Sequence, residues 1–123
     1  MPRKTVPKSP HDFKKIAEDL VLQWQEILRL QDWDIEVEII KGWESPGNYA
    51  TICGQSLQKR ATLKLVDPND WHPEDATPKE VAATIVHELL HLHFRQAGYD
   101  YEEDKEEPVV HALEKAFAFF IEV

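Results

Sequence analysis

The chain has 123 residues, of which 42% are hydrophobic and 30% are charged, the balance of an ordinary globular domain rather than of a disordered chain. Its formal net charge of −9 argues against nucleic-acid binding, because affinity for a phosphate backbone comes mainly from Lys and Arg. No apolar run approaches the roughly 20 residues that cross a bilayer, which argues against a membrane partner. We therefore predict one domain over residues 10–123, preceded by a short flexible arm over residues 1–9.

The start of the chain and its cysteine content predict the cellular compartment. The segment from Met1 to Pro10 contains basic residues and prolines but no apolar stretch, so we do not expect a secretory signal. Cys53 is the only cysteine in the chain, which excludes an internal disulfide bond. Both features are typical of a cytoplasmic protein.

The first predicted element is an amphipathic helix from Pro10 to about Gln31. Ser9 is suited to the N-cap, and proline is common at the first helical position. Apolar residues recur at steps of three and four residues along this segment: Phe13, Ile16, Ala17, Leu20, Trp24, Ile27 and Leu28. This spacing predicts that one face of the helix is buried and that Trp24 belongs to the core.

Three strands are predicted next. Ile35, Val37 and Ile39 alternate with glutamates, which is typical of a strand with one buried and one solvated face. After a segment that contains proline and glycine, Tyr49 to Cys53 and Ala61 to Val66 have the composition of two further strands.

The clearest helix start follows the strands. Thr77 and Glu80 form a capping box around Pro78, and the helix is predicted to run to about Ala97, before Gly98 at the C′ position. Apolar residues surround this helix almost completely, which predicts a central position in the core. A last helix, to about Ile121, completes an α+β fold.

The predicted central helix carries the sequence His87-Glu88-Leu89-Leu90-His91, an HExxH motif. A spacing of four residues puts both imidazoles on one helical face, where they can bind one zinc ion. Glu88 points around the helix, so its carboxylate is expected to reach a water on the metal rather than the metal itself. Zinc lowers the pKa of such a water to about 7, and Glu88 would act as its general base.

A catalytic zinc site needs a third protein ligand. The residue six positions after His91 is Ala97 rather than the His of an extended metzincin motif, so the ligand must come from further along the chain. Acidic residues cluster at the start of the last helix: Glu102, Glu103, Asp104, Glu106 and Glu107. The residues alone leave the choice among them open.

The HExxH helix followed by a helix that carries a glutamate resembles the gluzincin clan. The order of elements over about residues 13–121 is similar to the minigluzincins and to compact phage and bacterial HExxH proteins. The resemblance implies a zincin-like fold, a zinc cofactor and peptide hydrolysis. It also favours Glu107 as the third ligand, since Val110 and His111 stand three and four positions later; Glu106 and His111 are the alternatives.

The resemblance also implies how a peptide binds. In zincins a strand at the edge of the sheet pairs with an extended substrate, and the matching segment here is Ala61 to Val66. Minigluzincins can be latent, with the cleft blocked by their own chain. The alternative function is therefore a catalytically silent or latent zincin-fold module that acts in binding or regulation.

Overall fold

A computed structural model describes residues 9–55, 57–96 and 103–117 of the chain. Three helices and a three-stranded mixed sheet confirm the predicted α+β class: α1 (Pro10–Ile27), β1 (Asp34–Ile40), β2 (Ala50–Gln55), β3 (Arg60–Val66), α2 (Pro78–Gln96) and α3 (Glu103–Phe117). The predicted arm, except Ser9, and Gly98 lie outside the described residues. Within the described part of the chain, no helix is both long enough and apolar enough to cross a membrane.

Helix α1 packs its apolar face into the core, and Phe13, Ala17 and Trp24 are buried as predicted. It ends four residues before the predicted position, because Arg29 adopts a left-handed conformation with φ 60°. The Leu30 amide then donates to the carbonyl of Gln25 over 2.7 Å, which closes the helix end without a glycine. The prediction that the helix runs to Gln31 is wrong for this reason.

The sheet has the strand order β1-β3-β2, with β3 parallel to β1 and antiparallel to β2. Ala61 to Val66 therefore belongs to the central strand, in which Arg60 to Leu65 pair with both neighbours and Val66 pairs with β1. The prediction that this segment is an edge strand is wrong, because β1 and β2 occupy both of its sides. A peptide cannot extend the sheet there; within the described sheet, the edges belong to β1 and β2.

One face of the sheet is buried against the helices, with α1 on β1 and α2 on β2. The buried positions alternate along the strands: Val37, Ala50, Ile52, Ala61, Leu63 and Leu65. Glutamates and other polar residues on the opposite face are exposed. This alternation confirms the one-sided sheet that the sequence pattern predicts.

Gly54 marks a close approach between β2 and helix α2. A Cβ added at Gly54 would lie 2.9 Å from Leu92 Cδ1 and 3.4 Å from Trp33. Because Leu92 is fully buried, its side chain has little room to move. We expect Gly54→Ala to lower the free energy of unfolding by about 1–2 kcal/mol in urea denaturation. Cys53→Ala, at the exposed position that precedes Gly54, is the control and should change the free energy of unfolding by less than about 0.5 kcal/mol. Equal effects of the two variants would contradict this packing.

The segment between β3 and α2 is fixed against the start of β2. The Trp71 indole N–H donates to the carbonyl of Val66 over 2.8 Å, and its ring stacks on Tyr49 with centroids 4.1 Å apart. The Tyr49 hydroxyl in turn donates to Asp75 over 2.8 Å. These contacts hold the chain that leads into α2 close to the residues that precede β2.

Helix α2 is the central helix, as predicted. The Glu80 amide donates to the Thr77 hydroxyl over 3.3 Å, which is the amide half of the predicted capping box. Helix α3 packs on α2, and its Val110 is fully buried. It also contacts α1 through Phe117, whose ring meets Trp24 edge-on with centroids 5.8 Å apart. Two helices that carry the predicted site residues thus lie side by side.

Candidate metal centre

Helix α2 presents both histidines of the HExxH motif on one side. The rings of His87 and His91 have centroids 5.0 Å apart, and their Nε2 atoms are separated by 3.3 Å. The intervening Leu89 and Leu90 are buried in the core, which fixes the rotation of the helix. His91 is itself buried, with 3% of its surface exposed.

Helix α3 brings Glu107 to these histidines. Its Oε1 lies 2.6 Å from His91 Nε2 and 3.3 Å from His87 Nε2. A residue that precedes a proline is biased away from helical geometry, and Glu107 precedes Pro108, but α3 begins at Glu103 and continues through the proline. Pro108 lacks the N–H that would bond the carbonyl of Asp104, and its ring crowds that carbonyl, but α3 continues for nine residues beyond it. The helix therefore carries Glu107 in place.

The three donor atoms of His87, His91 and Glu107, hereafter the inner triad, are close enough to hold a single metal ion. Four ligands at 2.0–2.1 Å in a tetrahedron lie about 3.3 Å from one another. Two of the observed separations equal this value, and the third, 2.6 Å, is a hydrogen-bond distance. A shift of the Glu107 carboxylate by about 0.7 Å would complete a tetrahedral face, and its side chain, 34% exposed, has room to make it.

His111 and Glu106 were the alternatives to Glu107 as the third ligand. His111 does not join the inner triad: it lies one turn further along α3, and its Nε2 is 3.2 Å from the second oxygen of Glu107. Its side chain is 60% exposed. The side chain of Glu106 lies outside the described residues. Among the described side chains, Glu107 is thus the predicted candidate that approaches both histidines of the motif.

Glu114 is a site residue that the sequence analysis missed. His87 donates from Nδ1 to Glu114 Oε2 over 2.9 Å, which directs Nε2 of the same ring toward Glu107 and His91. A carboxylate on the far nitrogen of a histidine is the usual support for a metal ligand, because it fixes the ring and its tautomer. The signal in the sequence was the spacing of seven residues, two helical turns, between Glu107 and Glu114.

Charges in the site shift two pKa values in opposite directions. The pKa of His87 is raised from 6.5 to about 9, and the hydrogen bond to Glu114 is the largest cause of the rise. Burial lowers this pKa, whereas the negative charges of Glu88 and Glu107 raise it further. Burial by itself would raise the pKa of Glu107, but the charge of His87 and the hydrogen bond with His91 outweigh it and lower this pKa. The carboxylate is thus held in its charged form.

These shifts predict a pH dependence for the metal-free protein. Because the pKa of His87 rises from 6.5 to about 9 on folding, its contribution to stability is complete below pH 6.5 and is lost as the pH rises through about 9. Above about pH 9 we therefore expect the free energy of unfolding to be lower by up to about 3 kcal/mol, because His87 is then neutral. NMR titration of the His87 ring checks the pKa, and Glu114→Gln should move it back toward 6.5. An unchanged pKa in that variant would contradict the assigned cause.

The inner triad opens into a cleft of about 590 Å³. Strand β2, helix α2 and helix α3 form its walls, together with Asn48 just before β2. The residues that line it are Asn48, Ala50, Thr51, Ile52, His87, Glu88, His91, Glu107 and His111. Glu88, the predicted general base, therefore faces the same cleft as the predicted metal ligands. The edge strand on this cleft is β2.

Comparisons with known proteins give no assignment of their own. No protein-family model, curated protein or solved structure matches this chain. The chemistry of the site is therefore argued from its own residues. Two imidazole nitrogens and one carboxylate oxygen form the donor set that suits zinc, and His, His and Glu is a ligand set of known catalytic zinc sites.

Proposed function

We propose that the chain is a zinc-dependent peptidase with a zincin-like fold, in which His87, His91 and Glu107 hold the ion and Glu88 is the general base. The observation behind this assignment is the convergence of three donor atoms, 2.6–3.3 Å apart, on the wall of a cleft that Glu88 also lines. Three protein donors leave a fourth coordination position for the reaction, which is the mark of a catalytic rather than a structural zinc site.

The inner triad is suited to a doubly charged ion. It combines one carboxylate, held charged, with two imidazoles, one of which is supported by Glu114. Zinc bound by such residues supplies Lewis acidity, since it acidifies water and polarises a carbonyl group. Burial of His91 and the close packing of α3 on α2 keep the ligands in place before the ion arrives.

Glu88 would move the proton in this reaction. Its carboxylate lines the cleft beside His87 and His91 but is not part of the inner triad. From there Glu88 can accept a proton from the attacking water and pass it to the amine that leaves when the peptide bond breaks. A purely structural zinc site would not require a carboxylate at this position.

Strand β2 is the surface on which we expect an extended peptide to bind. It has β3 on one side, and Ala50, Thr51 and Ile52 line the cleft that contains His87 and Glu88. A peptide added along β2 would carry its carbonyl groups past the site, with main-chain hydrogen bonds for affinity. This replaces the central segment Ala61 to Val66 as the expected substrate strand. The single exposed thiol, Cys53, favours a reducing, cytoplasmic setting.

The proposal is tested by metal content and peptide cleavage together. We expect about one zinc per chain by elemental analysis, and cleavage of an unfolded protein substrate that stops on chelation and returns when zinc is added. Absence of stoichiometric zinc would remove the basis of the assignment. Zinc binding without cleavage, with residues 1–9 removed, would instead favour the silent or latent binding module.

A further inference from the structure

His87 belongs to two sets of metal donors rather than one. Besides the inner triad, His87, His111 and Glu114 also have donor atoms within 4.8 Å of one another, and we call them the outer triad. Glu114 Oε2 lies 2.9 Å from His87 Nδ1 and 3.6 Å from His111 Nδ1. The rings of His87 and His111 have centroids 5.0 Å apart. The contact of His87 with Glu114 uses Nδ1, whereas its contacts with His91 and Glu107 use Nε2.

The two triads differ in their access to solvent. The side chain of His111 is 60% exposed and that of Glu114 is 24% exposed, whereas that of His91 is only 4% exposed. His111 also lines the cleft. Glu107, at 34% exposed, is as open to solvent as Glu114, so the difference in access lies in the two histidines. An ion that enters the cleft therefore meets the exposed His111 before it can reach the buried nitrogen of His91.

The geometry points to two alternative positions for one metal ion: the outer triad captures the ion from solvent, and the inner triad then holds it. His87 is common to both, so the ion changes from Nδ1 to Nε2 of one ring while His111 and Glu114 are exchanged for His91 and Glu107. This inference rests on the proposed metal site, but it does not depend on peptide hydrolysis.

The inner triad is the final position because its donors are nearer to their binding geometry. Its separations of 2.6–3.3 Å are close to the tetrahedral value of about 3.3 Å. In the outer triad, Glu114 lies 2.9 Å from His87 Nδ1 and 3.6 Å from His111 Nδ1, and the exposed His111 side chain must lose rotamer freedom to bind. The outer triad therefore binds more weakly and releases the ion inward.

The test removes one inner ligand and asks what holds the ion. In His91→Ala, the inner triad keeps two donors while the outer triad keeps three, so weakened Co²⁺ binding should persist. In that background, His111→Ala should weaken Co²⁺ binding by a further factor of about ten or more, and Glu107→Gln by less than about three. His11→Ala, at an exposed position on α1, is the matched control for unspecific binding to histidine.

The opposite order of effects would overturn the inference. If His111 only orients Glu107, then Glu107→Gln should weaken binding in the His91→Ala protein at least as much as His111→Ala does. No Co²⁺ binding by a folded His91→Ala protein would also overturn it. No metal binding by the wild type, in contrast, would reject the proposed function itself, so the two failures are distinguishable.

A second measurement uses the wild-type background, where folding of the His91 variant is not at issue. Stopped-flow uptake of Co²⁺ should be slower in His111→Ala by about threefold or more, with a smaller change in equilibrium affinity than in the His91→Ala background. An uptake rate equal to that of His11→Ala would contradict capture by the outer triad.

Discussion

Replacing Glu88 by Gln is expected to lower the rate of peptide hydrolysis by roughly 10²–10⁴-fold, the usual contribution of a general base. Gln has nearly the shape of Glu but cannot accept the proton of the attacking water. Zinc content should stay the same, because Glu88 is not a member of the inner triad. Cleavage of an unfolded protein, zinc content and melting temperature are measured on the same preparations.

Glu80→Gln is the matched control, since Glu80 lies on the same helix at an exposed position in the first turn. It should leave hydrolysis unchanged. If Glu88→Gln keeps full activity, the general base is another group. If it mainly lowers the melting temperature and there is no hydrolysis to lose, Glu88 has a structural role and the binding-module alternative gains support.

The helix that carries the site could be predicted because its signals are local. The Thr77 cap and Pro78 fix its start, and the four-residue spacing of His87 and His91 fixes a shared face whatever the rest of the chain does. Apolar residues on the remaining faces predicted a buried helix, and Leu89 and Leu90 are indeed buried. For these reasons the HExxH part of the site follows from the sequence.

Strand order could not be predicted in the same way. The alternation that identified Ala61 to Val66 as a strand is the same for a central strand and for an edge strand with one buried face. Which strands flank it depends on pairings between residues far apart in the chain, such as Ile35 with Ala61. The edge on the cleft proved to be β2, a strand whose apolar signal is weaker because it includes Gly54 and Gln55.

The role of Glu114 also depends on tertiary structure. The sequence pattern predicts that an acidic residue in the middle of a helix is exposed to solvent. Only the packing of α3 on α2 brings Glu114 to His87. The early end of α1 is similar, since the left-handed Arg29 carries no glycine signal. The buried Gln25 side chain donates to the carbonyls of Leu30 and Trp33. These bonds stabilise the turn after Ile27, where the sequence pattern predicted more helix.

Glu107→Gln is expected to weaken zinc binding more than any other single change on α3. The variant removes the only negative charge among the inner-triad donors, and Gln offers a neutral oxygen in its place. The loss should exceed the roughly 10–100-fold that removal of a supporting partner costs. Competition with a chelator of known zinc affinity measures it, and circular dichroism confirms that the variant folds.

His111→Ala and Glu114→Gln provide the comparison on the same helix. Glu114 supports His87 from the far side of its ring, so Glu114→Gln should weaken binding within that 10–100-fold range. His111 is exposed, and it approaches the inner triad only from outside, through the second oxygen of Glu107 and the edge of the His87 ring, so His111→Ala should have the smallest effect of the three. If His111→Ala strips the metal and Glu107→Gln does not, the third ligand is His111, and α3 must rotate or shift to bring that imidazole to His91.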